Sequence, residues 1–439
     1  MEVIFMSKFK EAIAPFKLPI ILLLILAVVY IAAKVVLPGI NSARAEQSPV
    51  VGIEAENDKT YISSGEVKAE DFKVRLVHEN GGKTKLPTDQ YTLSQTTLDP
   101  VGSQTKIIIA YTDDSKLSCE VDVAVERKEV MRFECGYPDK TNVCAVLYSN
   151  GELCFEGKGD VYTYDEGKFP WTKYDGSDKN PIRAVSFQKD VKPTDMNYWF
   201  EDKDELTYVG KIPDSVKTMI RTFSDCESLE SMADWTGDNA LLNITECYED
   251  CENLKQTCAI PGSVKIAQST FKGCKSLQET PDMSKADAII DATSMYEDCS
   301  KLVKVSIPSN AENISSMFED CINLKDMPEI PSTASIMSST FRGDVSLTSL
   351  TSIPESVTDL SSCFADCQLA SGPLVIDANA EKFSNMFDKA VLATKLDITG
   401  KSLLLDAYAN TSSTGRVTVN GKSPNPDIKS YSDVIKEKK

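Results

Sequence analysis

The sequence predicts a mainly β repeat protein, a solenoid preceded by a β-sandwich and an N-terminal transmembrane helix. Three observations predict it. An aromatic-x-x-Cys-x-x-Leu signature recurs through the second half of the chain, an Ile-Pro pair recurs in step with it, and short runs of period-2 alternation fill residues 48–128. At ordinary domain sizes, 439 residues are enough for about three domains.

Residues 1–45 set the expected compartment. Lys8, Lys10 and Lys17 precede an apolar run at 18–40 that only Lys34 interrupts. A spanning helix needs about 20 apolar residues and a signal core only about 7–15. The run is long enough to span if Lys34 snorkels its ammonium to the outer interface. Lysines before the span place the N-terminus inside and the large C-terminal part outside. Ala43-Arg44-Ala45 also reads as a cleavage site, which would release the chain as a secreted protein. The expected localisation is therefore the cell membrane with an extracellular body, or secretion after cleavage.

Charge narrows the partners. The chain carries 47 Lys plus Arg and 66 Asp plus Glu, a net −19. Residues 1–45 hold five of the bases and two of the acids, so the rest has 42 and 64, or −22. Such a body repels phosphate backbones, which argues against nucleic acid.

Residues 48–128 read as a β-sandwich. Phe72, Val74, Leu76 and His78 alternate with Lys73, Arg75, Val77 and Glu79, Cys119, Val121, Val123 and Val125 alternate with Glu120, Asp122 and Ala124, and Ile107, Ile109 and Tyr111 form a third period-2 set. The segments 61–65, 74–82, 91–93 and 102–112 resemble the bacterial immunoglobulin-like domains of surface proteins, which implies a spacer. Residues 131–198 contain Asn150-Gly151 between apolar runs, a strong hairpin signal. This segment is expected to cap the near end of the solenoid, because an open array would otherwise expose core.

The repeats are expected at 199–395, with a C-terminal cap and tail at 396–439. Full signatures are Phe223/Cys226/Leu229, Tyr248/Cys251/Leu254, Phe271/Cys274/Leu277, Tyr296/Cys299/Leu302 and Phe318/Cys321/Leu324. Degenerate copies are Phe200/Lys203/Leu206, Phe341/Asp344/Leu347, Phe364/Cys367 and Phe387/Leu392. Aromatic spacings run 23, 25, 23, 25, 22, 23, 23 and 23, within the leucine-rich-repeat range. Ile212-Pro213, Ile260-Pro261, Ile307-Pro308, Ile330-Pro331 and Ile353-Pro354 each place proline ten residues before the next aromatic. Proline cannot donate to a ladder, so the pair is expected to end one short strand per repeat, as at 302–307. The chain then returns through a segment such as 356–363. The aromatic, Cys and Leu are expected to point inward and stack into one core.

Phe271-Lys272-Gly273-Cys274-Lys275-Ser276-Leu277 and Met317-Phe318-Glu319-Asp320-Cys321-Ile322-Asn323-Leu324, with Ile-Pro in register, resemble the BspA-like leucine-rich-repeat surface proteins. The resemblance spans residues 131–420 and departs at Asp344 and Ala390, which replace the Cys. It implies cell-surface exposure and, for some members, adhesion to host or matrix proteins. It implies no catalytic residue and no defined ligand site.

Candidate chemistry is sparse. Cys226, Cys251, Cys274, Cys299, Cys321 and Cys367 share one repeat position and read as core thiols, since free Cys behaves as a small hydrophobe. Cys135, Cys144 and Cys154 in the cap are the candidates for disulfides. The only histidine, His78, reads as structural, and no Cys-x-x-Cys, two-His zinc or phosphate-cradling motif occurs. Asp225, Asp250, Asp298, Asp320 and Asp366 precede ladder cysteines. They read as turn residues, with a cation-binding stripe as the alternative. The expected function is a non-enzymatic surface binding protein for adhesion or protein–protein interaction, without cofactor. The alternative is an envelope-organising protein that binds wall polysaccharide or neighbouring surface proteins.

Overall fold

The structure, a computed structural model, describes residues 48–61, 66–99, 101–172, 174, 181–235, 240–369, 372–376, 378, 380–382, 384–392, 396–400 and 417–419. The expected anchor at 1–45 and most of the expected terminal cap lie outside the described residues. Among those described, no helix is long and apolar enough to cross a membrane. The chain divides into two units, Met1–Glu126 and Arg127–Lys439.

In the first unit, β1 (Val50–Glu56), β3 (Lys73–His78) and β4 (Lys83–Lys85) form one antiparallel sheet in the order β1-β3-β4. A second sheet has the order β2-β7-β6-β5, from Thr60–Tyr61, Ser118–Val125, Gln104–Tyr111 and Tyr91–Leu93, with β2 parallel to β7. Period-2 alternation gives each sheet one apolar face. Ile53, Val74 and Leu76 from the first sheet bury with Tyr61, Tyr91, Ile107, Ile109, Val121 and Val123 from the second. His78 closes an edge of this core, 5% exposed. Its Nδ1 donates to the Ser48 carbonyl at 2.7 Å and its Nε2 lies 2.8 Å from the Thr84 hydroxyl. Both ring nitrogens are therefore engaged in holding the fold.

The second unit begins with a five-stranded sheet. Its order is β15-β13-β11-β10-β8, from Tyr208–Val209, Ala184–Phe187, Glu152–Gly157, Val143–Tyr148 and Glu129–Glu134. β10 and β11 form the hairpin expected at Asn150-Gly151, where Gly151 takes φ +83°. From β11 onward pairing turns parallel, to β13 and then β15, which converts an antiparallel cap into a coil. β9 (Gly136–Tyr137), β12 (Gly159–Val161) and β14 (Val191–Lys192) form a small sheet beside it. The cap core is aromatic. Phe155 stacks on Phe187 and Trp199 at 5.0 and 5.2 Å, and Trp171 meets Phe155 edge-on at 5.1 Å. The Trp171 indole N–H donates to the Trp199 carbonyl at 2.8 Å, so the buried ring leaves no donor unmet.

The coils differ from the sequence expectation in one respect. Of the five Ile-Pro segments, only the one before Ile212-Pro213 carries a strand, β15, and the other four do not. In that part of the coil, pairing shrinks to single parallel bridges such as Ser231 with Gln256, Glu279 with Lys304 and Asp326 with Ser349. The continuous ladder instead runs through the return segment, five residues before each aromatic. It passes from Asp195 through Thr218, Asn243, Ile266, Asp291, Asn313, Ile336 and Asp359 to Lys382. Proline explains the shift, since a residue without an N–H cannot extend pairing into the next coil. Parallel pairing also runs past the boundary expected at 395. β16 (Gln368–Leu369) pairs with β18 (Val391–Leu392), and β17 (Gly372–Ile376) pairs with β19 (Leu396–Gly400), which pairs with β20 (Val417–Val419).

Candidate binding face of the repeats

Each coil is fixed by a turn around its aromatic. Backbone N–H groups four and two residues before the aromatic, at it, and two after it all donate to the following coil. In the Tyr248 coil, Ile244, Glu246, Tyr248 and Asp250 donate to the carbonyls of Ile266, Gln268, Thr270 and Lys272 at 2.7–3.0 Å. The two residues flanking the aromatic at two positions' distance are left-handed. On the far side these are Asp202, Asp225, Asp250, Asp298, Asp320 and Asp366 at φ 56–60°, Lys389 at 53°, and Gly273 and Gly343 at 71° and 77°. Only Gly, and to a lesser degree Asp and Asn, adopt this region readily, which accounts for the aspartates before the ladder cysteines. The glycines answer a second constraint: a Cβ on Gly273 or Gly343 would lie 2.0 Å from Oδ1 of Asp250 or Asp320 in the preceding coil. Among the described residues, no three carboxylates, thiols or imidazoles converge to hold a metal ion.

The residues expected to form the repeat core lie in one buried cluster. Phe200, Leu206, Phe223, Cys226, Leu229, Tyr248, Cys251, Leu254, Phe271, Cys274, Leu277, Tyr296, Cys299, Leu302, Phe318, Cys321, Leu324, Phe341, Leu347, Phe364, Cys367 and Phe387 are all without exposed surface. The nine rings from Phe200 to Phe387 stack coil upon coil, with centroids 5.3–5.8 Å apart and planes within 4–23° of each other. Offset stacking of this kind adds to the burial of the rings themselves.

The cysteine has a specific role in this core. Its Sγ donates to the carbonyl of the preceding coil's aromatic: Cys226 to Phe200, Cys251 to Phe223, Cys274 to Tyr248, Cys299 to Phe271, Cys321 to Tyr296 and Cys367 to Phe341, at 2.9–3.2 Å. A thiol is small, apolar and still a weak donor, and this position uses all three properties. Threonine supplies a second internal ladder: the hydroxyls of Thr222, Thr270 and Thr340 donate to the carbonyls of Met196, Ile244 and Ile314 at 3.0 Å. In the first coil, Lys203 takes the Cys place, and its buried ammonium donates to the carbonyls of Thr172 and Glu201. In the Phe341 coil the place belongs to Asp344, fully buried, with no partner for either carboxylate oxygen.

All thirteen cysteines are free thiols, so the cap cysteines proposed for disulfides are unpaired. The reason is geometric. Cys135 lies in the main core, whereas Cys144 and Cys154 belong to a separate small cluster with Val146 and Tyr148. Across β10 and β11, Cys154 faces Val146 and Cys144 faces Glu156. Burial pushes the thiol of Cys226 up to about 12 and that of Cys258 to about 11, and lifts Cys251, Cys274, Cys321 and Cys367 well above the ordinary range. Protonated core thiols are neither nucleophiles nor metal ligands at neutral pH. Cys247 and Cys363, both buried one residue before an aromatic, escaped the signature because Thr and Met share that position.

Outside the core, clefts open on the Ile-Pro part of the coils. Thr280 N–H still donates to the Lys304 carbonyl at 3.0 Å, but Ser306 N–H turns to the Thr280 hydroxyl at 3.1 Å. Pro281 and Pro308 then offer no N–H, and the coils part there. A cleft of about 560 Å³ lies between them, lined by Thr280, Pro281, Met283, Ser306 and Ile307. A second, about 640 Å³, adjoins it through Ser306, Ile307 and Ser309 and extends to Pro331 and Pro354. A third, about 700 Å³, lies at Ile212-Pro213, between residues 187–192 and 211–215. None of these clefts was legible as a site in the sequence. The recurrence of proline was the available signal.

A stacked aromatic core, one coil per 22–25 residues and inter-coil ladders define a leucine-rich-repeat solenoid. Residues 194–325 and 244–371 match the family model described as BspA type Leucine rich repeat region, in six copies. Among solved structures, the chain is similar to a leucine-rich repeat protein from Bacteroides ovatus, at 15% identity over 64% of this chain and 80% of that one, with a TM-score of 0.33. It is similar to another from Eubacterium ventriosum, at 14% identity over 66% and 84%, TM-score 0.28. It is also similar to the pneumococcal vaccine antigen PcpA, at 13% identity over 64% and 97%, TM-score 0.31. No curated protein matches the chain.

Proposed function

We propose that this chain is a cell-surface binding protein that holds an extracellular protein or polysaccharide along the proline-lined side of its repeats. The N-terminal apolar run tethers it, or directs its export, and the β-sandwich serves as a spacer of immunoglobulin-like type. The observation that carries the binding assignment is the series of clefts at the Ile-Pro steps, in particular the two that adjoin between residues 279 and 354. A rigid stack of identical turns repeats the same outward geometry coil after coil, which suits an extended partner. Hydroxyls from Thr280, Ser306, Ser309 and Ser352 set among Ile and Pro give such a partner both hydrogen bonds and apolar surface. Catalysis is disfavoured by His78, whose two nitrogens serve the sandwich, and by thiols held protonated in the core.

The test is substitution within and away from the clefts of the full chain. Ser309→Arg with Ser332→Arg is expected to lower binding to host-cell or wall extracts at least tenfold, with the melting temperature unchanged. Ile322→Arg, on an exposed turn position, is expected to leave binding intact. Equal binding by all three forms would remove the clefts from the account. Fractionation against purified wall separates an adhesive from an envelope-organising role.

A further inference from the structure

We infer that the cleft at Ile212-Pro213 is a subsite for a sugar unit bearing a carboxylate or phosphate. It rests on the assignment of the proline-lined side as the binding face and names a ligand class for one part of it. This cleft, about 700 Å³, is lined by Lys189, Lys192 and Lys211 against a single carboxylate, Asp214. The other two clefts carry the opposite balance: Glu279 and Asp282 against Lys304 in one, and Glu329 alone in the other. A local excess of two positive charges is conspicuous in a chain of net −19.

Ion pairing of lysines varies along the repeats, where Lys217, Lys265, Lys285, Lys301 and Lys325 make none among the described residues. On the repeats, Lys255, Lys272, Lys275 and Lys304 are each tied to a glutamate of an adjacent coil at 2.7–3.1 Å. Lys211 is held by Asp214 at 3.4 Å, whereas Lys189 and Lys192 make no ion pair among the described residues. Two unneutralised ammonium groups on one cleft are a built-in attraction for an anion. The same cleft is lined by Phe187, half-buried and stacked on Phe155 at 5.0 Å and 16°, and by Pro213. An apolar platform beside unpaired ammonium groups suits a ring with an acidic substituent better than a bare inorganic ion. The acidic remainder of the chain disfavours long polyanions such as nucleic acid, so the recognised unit is short.

The experiment uses the full chain and measures binding of four probes by calorimetry: a tetrasaccharide of alternating glucuronic acid and N-acetylglucosamine, neutral chitotetraose, inorganic phosphate and hexaglutamate. The acidic tetrasaccharide is expected to bind, more weakly as salt rises, and the other three at least tenfold less well. Lys189→Glu with Lys192→Glu is expected to lower that affinity at least tenfold with the melting temperature unchanged. Ser309→Arg with Ser332→Arg is expected to leave it unaltered, so loss of the subsite and loss of the wider binding face are separately visible. Equal binding of phosphate would reduce the site to an anion trap, and equal binding of hexaglutamate would make the partner an acidic peptide. Either result, or a tetrasaccharide affinity indifferent to the lysine changes, overturns the inference.

Discussion

Replacing Asp344 with cysteine is expected to stabilise the repeat unit, and to do so more at pH 8 than at pH 5. Asp344 stands where Cys226, Cys251, Cys274, Cys299, Cys321 and Cys367 each donate a thiol to the carbonyl of the preceding aromatic. An ionised carboxylate can only accept, so it cannot repeat that bond, and only its protonated form is a donor. The side chain is fully buried, and neither oxygen has a partner. Burial, opposed by the nearby Cys321 backbone amide and reinforced by the charges of Asp320 and Glu319, holds its carboxyl well above the usual carboxylate range.

The pH dependence follows from that direction. In the unfolded chain an aspartate titrates near 3.9. Because the folded value is the higher one, this group's full contribution to stability is present only below the unfolded value. It is lost as pH rises toward and through the folded value. Cysteine removes the dependence and restores a donor. Relieving an unsatisfied buried polar group is worth about 1–3 kcal/mol, or a few degrees in Tm for a unit of this size, at roughly 2–4 °C per kcal/mol. Thermal melts of the two proteins across pH 5–8 are the measurement, and their difference isolates Asp344 from other titrating groups. Parallel curves with no gain in Tm at pH 8 would mean that the carboxylate is neutralised by some other contact.

A larger loss is expected from Phe318→Ala. The ring is fully buried between Tyr296 and Phe341, at 5.8 and 5.7 Å. Truncation removes both stacking neighbours' contacts and leaves a cavity that the ladders above and below cannot close. Phe→Ala at such sites loses about 3–5 kcal/mol. Ile322→Ala, four residues on at a 42% exposed position, is expected to change stability by less than about 0.5 kcal/mol. Urea midpoints of both variants test the contrast. A loss at Phe318 no greater than at Ile322 would mean that the stack contributes nothing beyond occupying space.

The period was readable because the core position is chemically narrow: the stacked ring is Phe or Tyr in all nine coils, and the place three residues on is in six of them a Cys, small and still able to donate a hydrogen bond. What the sequence hid is a matter of backbone. Val303, Val305 and Ile307 alternate like a strand, yet the proline that follows prevents propagation into the next coil, leaving a bridge at Lys304. The ladder runs instead through segments with mixed polarity, such as 356–363, where Asp359 accepts the Ser361 N–H at 3.0 Å and starts the turn. The aspartates of the turns looked like a charged stripe, whereas their shared feature is a positive φ. Lys189 and Lys192 could not be assigned to one cleft with Lys211, because what brings residues 187–192 and 211–215 together is coil register, which sequence alone does not reveal. Asp344 was visible only as a departure from the motif.

The inward stack is tested most directly by mapping thiol reactivity in the native full chain with a small alkylating reagent and peptide mass spectrometry. Eleven cysteines are buried, and only Cys119 and Cys258 are partly exposed. The structure therefore predicts native modification confined to Cys119 and, more slowly because burial raises its thiol, Cys258, until denaturant is added, when Cys226, Cys251, Cys274, Cys299, Cys321 and Cys367 become reactive together. Rapid native labelling at those six positions, or their recovery as disulfides, would contradict the stacked core.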